Sequence, residues 1–189
     1  MAFQFTYDLI REITPSGNTT IQKALVDPLN KWMPVYEINT LLRIEHFIAQ
    51  AAEESAYFRT LTEYASGRAY EFRHDLGNVN AGDGVRYKGR GLLQITGRAN
   101  YERYGKLLNV DLVNHPELAA TADIAVQTAM MYWKDHNLNK YADADDLNTI
   151  TRRINGGLNG YSARLALLCQ TDDAIGDYFP DQDGTKLNP

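Results

Sequence analysis

Apolar residues recur at three- and four-residue spacing from about residue 38 to residue 61, a pattern that predicts one long amphipathic helix. Its apolar stripe consists of Leu41, Ile44, Ile48 and Ala51, flanked by Leu42, Phe47, Ala52 and Phe58. Further helices are predicted at residues 7–13, about 20–32, 119–133, from Asp145 or Asp146 to 155, and 162 to about 178. The chain is therefore expected to be mainly α-helical.

Residues 76–91 interrupt this pattern with closely spaced glycines and several Asn and Asp residues. Such a composition excludes a long helix and favours loops with a short hairpin. The polar segment 181–189 is expected to be a frayed tail. With 189 residues and no internal repeat, the sequence predicts a single domain over residues 1–189, in which a small loop and β-hairpin lobe accompanies the helices.

Composition narrows the classes of function. A net charge of −5 and a pI near 5.3 argue against a nucleic-acid partner, which requires clustered Lys and Arg. The single cysteine, Cys169, has no internal disulfide partner and is expected to be a buried apolar residue. No Cys and His spacing matches a zinc site, and the four histidines are scattered, so no metal and no cofactor is expected.

Membrane insertion is not expected, because no segment approaches the roughly 18 apolar residues of a spanning helix. The N-terminus also lacks a basic region followed by an apolar core. The protein is thus expected to be made in the cytoplasm without a signal peptide. If its target is a cell wall, a holin or another export route must release it.

Two glutamates nine positions apart, Glu54 and Glu63, are the candidate chemistry. On the predicted helix Glu54 lies at the edge of the apolar stripe, whereas Glu53 points to the solvent face. An apolar surrounding raises the pKa of a carboxyl group, as a general acid requires. If the helix ends before Glu63, the chain can turn back and bring the carboxyl groups to the roughly 6.5–9.5 Å separation of an inverting glycosidase. The alternative is that both are solvated surface charges.

A glycine-rich turn follows at residues 83–96. Gln94 and Thr96 offer neutral hydrogen-bonding groups for a sugar or a catalytic water, while Arg90 fits a structural ion pair as well as a functional role. Asn155 either ends a helix or presents its amide to a sugar. Four tyrosines near these positions can stack on sugar rings or pack in a core; they are Tyr57, Tyr64, Tyr87 and Tyr101.

Three segments, in order, resemble glycoside hydrolase family 19, and specifically its short phage-type and bacterial endolysins, which share a lysozyme-like fold with chitinases. Residues 49–58 (AQAAEESAYF) resemble the family's His-Glu-Ser-Gly-Gly-Phe stretch. Residues 82–101 (GDGVRYKGRGLLQITGRANY) resemble its most characteristic segment, and residues 154–164 (INGGLNGYSAR) resemble its Asn-Gly-Gly segment. The resemblance covers about residues 41–168, and the motif-bearing region is about 38–170.

The resemblance implies roles for individual residues. Glu54 would be the general acid and Glu63 the base, with Thr96 helping to hold the attacking water. Substrate contacts would come from Gln94, Asn100, Tyr101, Asn155, Tyr87 and Arg90, with Asn100 and Tyr101 either touching the substrate or supporting the cleft. Two departures weaken the inference on substrate: Glu53 replaces the usual histidine before the acid, and Ala56-Tyr57 replaces Gly-Gly.

The resemblance thus implies a monomeric, metal-independent, inverting hydrolase of β-1,4-linked N-acetylhexosamine strands in peptidoglycan. Chitin hydrolysis is the nearest alternative, because both polymers present the same bond to the same two carboxylates. A non-catalytic wall-binding protein is the alternative from another class. A toxin delivered into competing cells would share the chemistry.

Overall fold

The computed structural model describes residues 3–189, and this part of the chain is mainly α-helical, as the sequence predicts. Its helices are α1 (Tyr7–Ile13), α2 (Thr19–Trp32), α3 (Leu41–Glu54), α4 (Asp83–Arg86), α5 (Arg98–Leu108), α6 (Ala122–Asp135), α7 (Leu138–Ala142), α8 (Leu147–Asn155) and α9 (Tyr161–Ile175). Short 3-10 turns lie at Arg68–Tyr70, His74–Leu76, Pro116–Ala120 and Gly176–Tyr178. No helix within residues 3–189 is long and apolar enough to cross a membrane.

Helix α3 lies at the centre of the main core. Ten of its fourteen residues are buried, and its principal neighbour is α9, while α2 packs on α6. The ring of Trp133 on α6 meets Phe47 of α3 edge to face, with ring centroids 5.4 Å apart. A helix buried this completely is a rigid support, and its last residue is Glu54.

Local sequence signals place several boundaries correctly. Helix α1 has the predicted bounds, and α2 begins one residue before its predicted start. Asp146 caps α8 by accepting a hydrogen bond from the Thr149 amide at 2.9 Å, and Gly156 ends it with a left-handed φ of 76°. Side-chain caps and a terminal glycine act within one turn, so sequence alone reveals them. Helices α4, α5 and α7 were not predicted.

The central helix is shorter than its apolar pattern predicts, because α3 ends at Glu54 rather than near residue 61. The Tyr57 amide donates to the Ala52 carbonyl in a Schellman arrangement. Residues 56–58 have left-handed φ angles of 53, 63 and 56°, which costs about 1–2 kcal/mol for each residue with a side chain. The expected end before Glu63 is thus confirmed, but the boundary was wrong because no glycine marks it.

The small lobe contains the expected hairpin in minimal form. Arg90 and Ile95 exchange backbone hydrogen bonds of 3.2 and 2.8 Å around a tight turn, and Thr62 pairs with Arg90 on the other side. A buried ion pair stabilises this lobe: Arg98 donates to Asp83 at 2.5 Å. The Arg98 hydrogen bond lowers the pKa of Asp83 to about 2, so this pair persists across the physiological pH range.

The C-terminal segment 181–189 is packed against the helical body, so the prediction of a frayed tail was wrong. The Thr185 amide donates to Glu45 at 3.0 Å, and the Lys186 amide donates to Asp145 at 2.9 Å. Leu187 accepts a bond from the Cys169 thiol at 3.3 Å. The segment's polar composition hid this docking, since its anchors are buried carboxylates distant in sequence.

Glu45 beneath this segment should make stability depend on pH. Burial, then the neighbouring Asp172 carboxylate, raises the pKa of Glu45 to about 9 from 4.5. A group with a raised folded pKa contributes full stability below its unfolded pKa and loses it as pH rises toward the folded value. We therefore expect Glu45→Gln to be more stable than the wild type at pH 8, by on the order of 3 kcal/mol.

Thermal unfolding between pH 5 and pH 9 measures this effect. The wild-type melting temperature should fall across the range, and the Glu45→Gln curve should fall less. Glu12→Gln, at an exposed carboxyl of α1, is the matched control and should follow the wild type. Parallel curves for all three proteins would contradict the assignment.

Candidate active site

Glu54 is held by an arginine from a helix distant in sequence. Arg164 of α9 donates through Nη2 to Glu54 Oε1 at 2.5 Å and through Nη1 to Gln50 Oε1, one turn earlier on α3. Arg164 is only 2% exposed, and the Glu54 side chain is 19% exposed. The carboxyl group is therefore partly accessible and fixed in orientation by a buried cation. The helical pattern had predicted an apolar surrounding without this cation.

Sequence reasoning missed two side chains that hold the candidate glutamates, Arg164 and Tyr70. Arg164 closes the Asn-Gly-Gly segment but received no role there. On α9 it shares a face with Leu167, Leu168, Thr171 and Ile175, all buried. A charged residue at a core position of a helix needs a partner. The position of Arg164 in the helical period could therefore have indicated a buried ion pair.

Glu53 does not point to solvent as the helical pattern predicts. Its side chain is half-buried against Gly160, where a Cβ atom would lie 2.4 Å from Glu53 Oε1. Burial raises the pKa of Glu53, the Arg164 charge opposes the rise, and the charge of Glu54 adds to it. The two adjacent carboxyls thus have different surroundings, and Arg164 bonds directly only to Glu54.

Glu63 lies where the chain enters the lobe. Its amide donates to the Gly89 carbonyl at 3.0 Å, and its own carbonyl accepts from Lys88 Nζ at 3.0 Å. The Tyr70 hydroxyl donates to Glu63 Oε2 at 3.0 Å, and burial together with this bond raises the pKa of Tyr70. Tyr70 therefore remains a donor near neutral pH. No periodic signal in the sequence pointed to it.

Glu63 Oε1 is buried and accepts no hydrogen bond from residues 3–189. Most buried polar atoms have a partner, so such an atom requires an explanation. Glu54 Oε2 likewise accepts no hydrogen bond from this part of the chain. Each glutamate thus has one oxygen fixed by a protein donor and one oxygen without a donor from residues 3–189.

Gln94 lies beside Glu63, as its predicted role requires. A Cβ atom on Gly89 would be 2.6 Å from Gln94 Oε1 and 3.1 Å from Glu63 Oε2, so both groups converge on this glycine. Gln94 adopts a left-handed φ of 52° and is anchored by donation to the Gly91 carbonyl at 2.8 Å. The Thr96 hydroxyl donates to the Gln94 carbonyl at 3.1 Å. The role of Thr96 in holding water stays a prediction.

Two tyrosines predicted to contact substrate belong to the core of the lobe. Tyr87 is 1% exposed and Tyr101 is fully buried, with ring centroids 5.2 Å apart. The Tyr87 hydroxyl donates to the Val113 carbonyl at 3.0 Å, and the Tyr101 hydroxyl donates to the Lys88 carbonyl at 2.7 Å. Substrate contact by Tyr87 is therefore wrong, and Tyr101 supports the cleft.

Arg90 and Asn100 also stabilise the lobe. Arg90 Nη1 donates to the Tyr101 hydroxyl at 2.7 Å and to the Arg86 carbonyl at 2.9 Å, which differs from the expected ion pair. Asn100 Nδ2 donates to the Thr96 carbonyl at 2.8 Å. Both side chains hold the segment that carries Gln94 and Thr96, and their contact with substrate stays a prediction.

Asn155 and Tyr64 are exposed, and their contact with a ligand stays a prediction. Asn155 is the last residue of α8 and is exposed, next to the left-handed Gly156. Tyr64 follows Glu63 directly and is 78% exposed, so its ring is available for stacking on a sugar. Tyr57 is half-buried and packs against the core.

Gly89→Ala should damage catalysis more than folding. The added methyl group would displace Gln94 Oε1 and Glu63 Oε2. Gly89 has an ordinary φ angle, so alanine does not strain the backbone there. A misplacement of about 1 Å can cost on the order of 100-fold in rate. We expect kcat to fall by about 10- to 100-fold, with a change in melting temperature of a few degrees.

Steady-state kinetics and thermal unfolding of the purified variant check this expectation. Gly176→Ala is the matched control, because its Cβ would meet only Asp172, at 3.3 Å, and its backbone is right-handed. Unchanged kcat in Gly89→Ala would show that Gln94 and Glu63 do not act together.

In the part of the chain that the structure describes, no group of three or more His, Cys, Asp and Glu side chains is arranged to hold a metal ion. The chemistry available from the described side chains is that of two carboxyl groups, one beside a buried arginine and one beside a tyrosine and a glutamine. Acid–base glycoside hydrolysis requires two such carboxyl groups, one as acid and one as base.

Comparison with known proteins agrees with this class. The family model for class I chitinases, glycoside hydrolase family 19, matches residues 47–153. A glycosyl hydrolase family 19 domain-containing protein of Haemophilus influenzae is 42% identical over 105 residues, which cover 56% of this chain and 50% of the relative. An acidic endochitinase of Petunia hybrida is 34% identical over 115 residues, covering 49% of this chain and 43% of the relative.

The fold has relatives among solved structures as well. Chitinase C of Streptomyces griseus superposes with a TM-score of 0.72 at 21% identity, covering 90% of this chain and 76% of that one. The family match spans more than half of the chain, and the chain therefore belongs to glycoside hydrolase family 19. The predicted family and fold class are confirmed. The chain spans about half the length of the curated relatives it matches.

Proposed function

We propose that this protein hydrolyses the β-1,4 bonds of N-acetylhexosamine strands in peptidoglycan, with inversion at the anomeric carbon. Glu54 is the general acid and Glu63 the general base. The observation that carries the proposal is the shared state of the two glutamates: each has one oxygen fixed by a protein donor and one that accepts no bond from residues 3–189.

Glu54 acts on the leaving group. Arg164 fixes Oε1, which leaves Oε2 as the oxygen through which a proton would pass to the glycosidic oxygen as the bond breaks. Gln50 accepts from the same guanidinium and bonds Thr151 Oγ1 at 3.3 Å, which ties the acid to α8. A general acid held in this way needs no rearrangement at the moment of transfer.

Glu63 acts on water at the opposite face of the sugar. Its buried Oε1 accepts a proton from the attacking water, while Tyr70 holds Oε2. Gln94 Oε1 lies with Glu63 Oε2 beside Gly89, and in this proposal Gln94 and Thr96 help to orient the water. Direct attack by water leads to inversion, without a covalent sugar–enzyme intermediate.

Chitin is the second candidate substrate, since the Petunia hybrida relative is an endochitinase by name. Both polymers present N-acetylated sugars in β-1,4 linkage, so the same carboxylates serve both. The charge distribution described below favours peptidoglycan. We further propose that the protein acts as a monomer of endolysin type, reaching the wall through a holin or another export route.

Loss of turbidity in outer-membrane-permeabilised Gram-negative cells tests the proposal, with chitin oligomers assayed alongside. Clearing by the wild type and not by Glu54→Gln supports a peptidoglycan glycosidase that uses Glu54. Turnover of chitin without clearing would move the function to chitinase. Inactivity on both substrates, with retained wall binding, would favour the non-catalytic alternative.

A further inference from the structure

Charge is distributed unevenly along this acidic chain. Residues 59–106, which form the lobe and its links to the helical body, contain nine Lys and Arg against five Asp and Glu, a net charge of +4. The whole chain has a net charge of −5, so the remaining residues are strongly acidic. The lobe that carries Glu63 is thus the cationic part of the molecule, and it borders the proposed substrate position.

Many of these cations are already occupied by protein groups. Arg73, Arg98 and Arg103 form ion pairs with carboxylates. Lys88 and Arg90 donate to backbone carbonyls, as Arg86 does. Arg59, Arg68 and Lys106 are different: all three are exposed, and no carboxylate of residues 3–189 lies within 4 Å of the charged group of any of them.

Arg59 and Arg68 lie close in sequence to the proposed catalytic glutamates. Arg59 stands in the turn that joins Glu54 to Glu63, where its Nε donates to the Ala56 carbonyl at 2.8 Å. Arg68 begins the 3-10 turn that ends at Tyr70, whose hydroxyl holds Glu63. Arg59 therefore lies in the loop between the two glutamates, and Arg68 lies in the turn whose Tyr70 holds Glu63.

Arg153 provides a third exposed cation on the α8 side. Its guanidinium lies 4.7 Å from the Tyr141 ring centroid and donates to the Tyr141 hydroxyl at 2.8 Å. Its carbonyl accepts from the Tyr132 hydroxyl at 2.7 Å. Burial and the charge of Glu54 raise the pKa of Tyr132. Tyr132 is therefore close enough to Glu54 to interact with its charge. Within residues 3–189, Arg153 has no carboxylate partner either.

The two candidate substrates differ in charge. Chitin is a neutral homopolymer, whereas peptidoglycan strands carry short peptides with free carboxylates on alternate sugars. A guanidinium group matches a carboxylate in charge and in bidentate geometry. Exposed cations beside the cleft attract an anionic polymer and add nothing for a neutral one.

We propose that Arg59, Arg68 and Arg153, the arginine rim, bind carboxylates of the peptides that branch from the glycan strand and so select a peptide-bearing glycan over a neutral one. This inference rests on the proposed function of the same site. The rim supplies specificity and association rate, while Glu54 and Glu63 perform the chemistry.

The test compares wild type with a triple Arg→Gln variant of the rim, on purified peptidoglycan sacculi and on neutral chitin oligosaccharides. We expect kcat/KM on sacculi to fall by about tenfold. It should also lose most of its dependence on salt, because charges at the rim of an interface set the salt dependence of association. Activity on chitin oligosaccharides should not change. Equal losses on both substrates, or no loss on sacculi, would overturn the proposal.

A charge-matched control separates the rim from net charge. Arg11, Lys23 and Lys31 are exposed, lie outside residues 59–106 and make no hydrogen bond or ion pair with either glutamate or with the side chains that hold them, so their triple replacement by Gln removes the same charge elsewhere. It should leave kcat/KM on sacculi close to wild type. A triple Arg→Lys rim variant should restore much of the activity, and failure to do so together with a lowered melting temperature would assign the rim a structural role.

Binding measured without catalysis distinguishes failure of this proposal from failure of the proposed function. In a Glu54→Gln background, the rim variant should co-sediment with sacculi less than its parent at 50 mM salt, by about tenfold in Kd. If the wild type cleaves only chitin and Glu54→Gln does not bind sacculi, the proposed function itself fails. If it cleaves sacculi and the rim variant binds them equally well, only the rim proposal fails.

Discussion

Replacing Glu54 with glutamine is expected to lower kcat by on the order of 1,000-fold, because the side chain then has no proton to give to the leaving oxygen. Glutamine keeps the size of the side chain, and its Oε1 still accepts a hydrogen bond from Arg164. The buried guanidinium therefore keeps a partner, and the melting temperature should change by only a few degrees. Release of reducing ends from sacculi, together with thermal unfolding, measures both effects.

The neighbouring glutamate offers a matched control. Glu53→Gln makes the same chemical change one residue earlier on α3, at a half-buried carboxyl that does not bond to Arg164. It should retain most of the wild-type kcat. If Glu53→Gln lost activity and Glu54→Gln kept it, the general acid would be Glu53 and not Glu54. The replacement of the family's histidine by Glu53 would then have a function.

Replacing Glu63 with glutamine is expected to lower kcat by about 100- to 10,000-fold, since the amide cannot accept a proton from water. Tyr70 can still donate to the remaining oxygen, so the lobe should stay folded. Tyr70→Phe is the informative companion, because it removes only the hydroxyl that orients the base. It should lower kcat by a smaller factor and leave binding to sacculi unchanged.

Stereochemistry provides the sharper test of Glu63. Early products from the wild type should be α-anomers by NMR, as inversion of a β-bond requires. Glu63→Ala leaves room for azide, an anion that attacks without deprotonation, and should regain turnover with formation of a glycosyl azide of α configuration. β-Anomers from the wild type would indicate a retaining mechanism, with a carboxylate or the acetamido group of the substrate as the nucleophile.

Much of this site could be predicted from local sequence signals. The two glutamates, the turn with Gln94 and the Asn155 segment were located from motifs of a few residues, and the family they indicate is confirmed. The distinction between Tyr101 as support and Tyr101 as contact was left open, and burial decided it. The catalytic roles themselves stay predictions, to be decided by the variants above.

The remainder depends on contacts between distant parts of the chain. Arg164 meets Glu54 across 110 positions, and Thr185 meets Glu45 across 140. Helical periodicity reports which face of a segment is buried but does not report what lies opposite it. The left-handed turn after α3 was invisible for a related reason: Ala56 and Tyr57 adopt φ angles that favour glycine, and only the surrounding packing holds them there.

The sequence by itself determined that this protein is mainly helical, where α1, α2 and α8 begin and end, and which two glutamates are the candidate acid and base. These properties follow from hydrophobic period, capping and short motifs, which act over one or two turns of chain. The tertiary structure alone decided which oxygen of each glutamate is held by the protein, which tyrosines are buried and how the C-terminal segment docks. Those properties arise from packing between α3, α9 and the lobe, which no local pattern encodes.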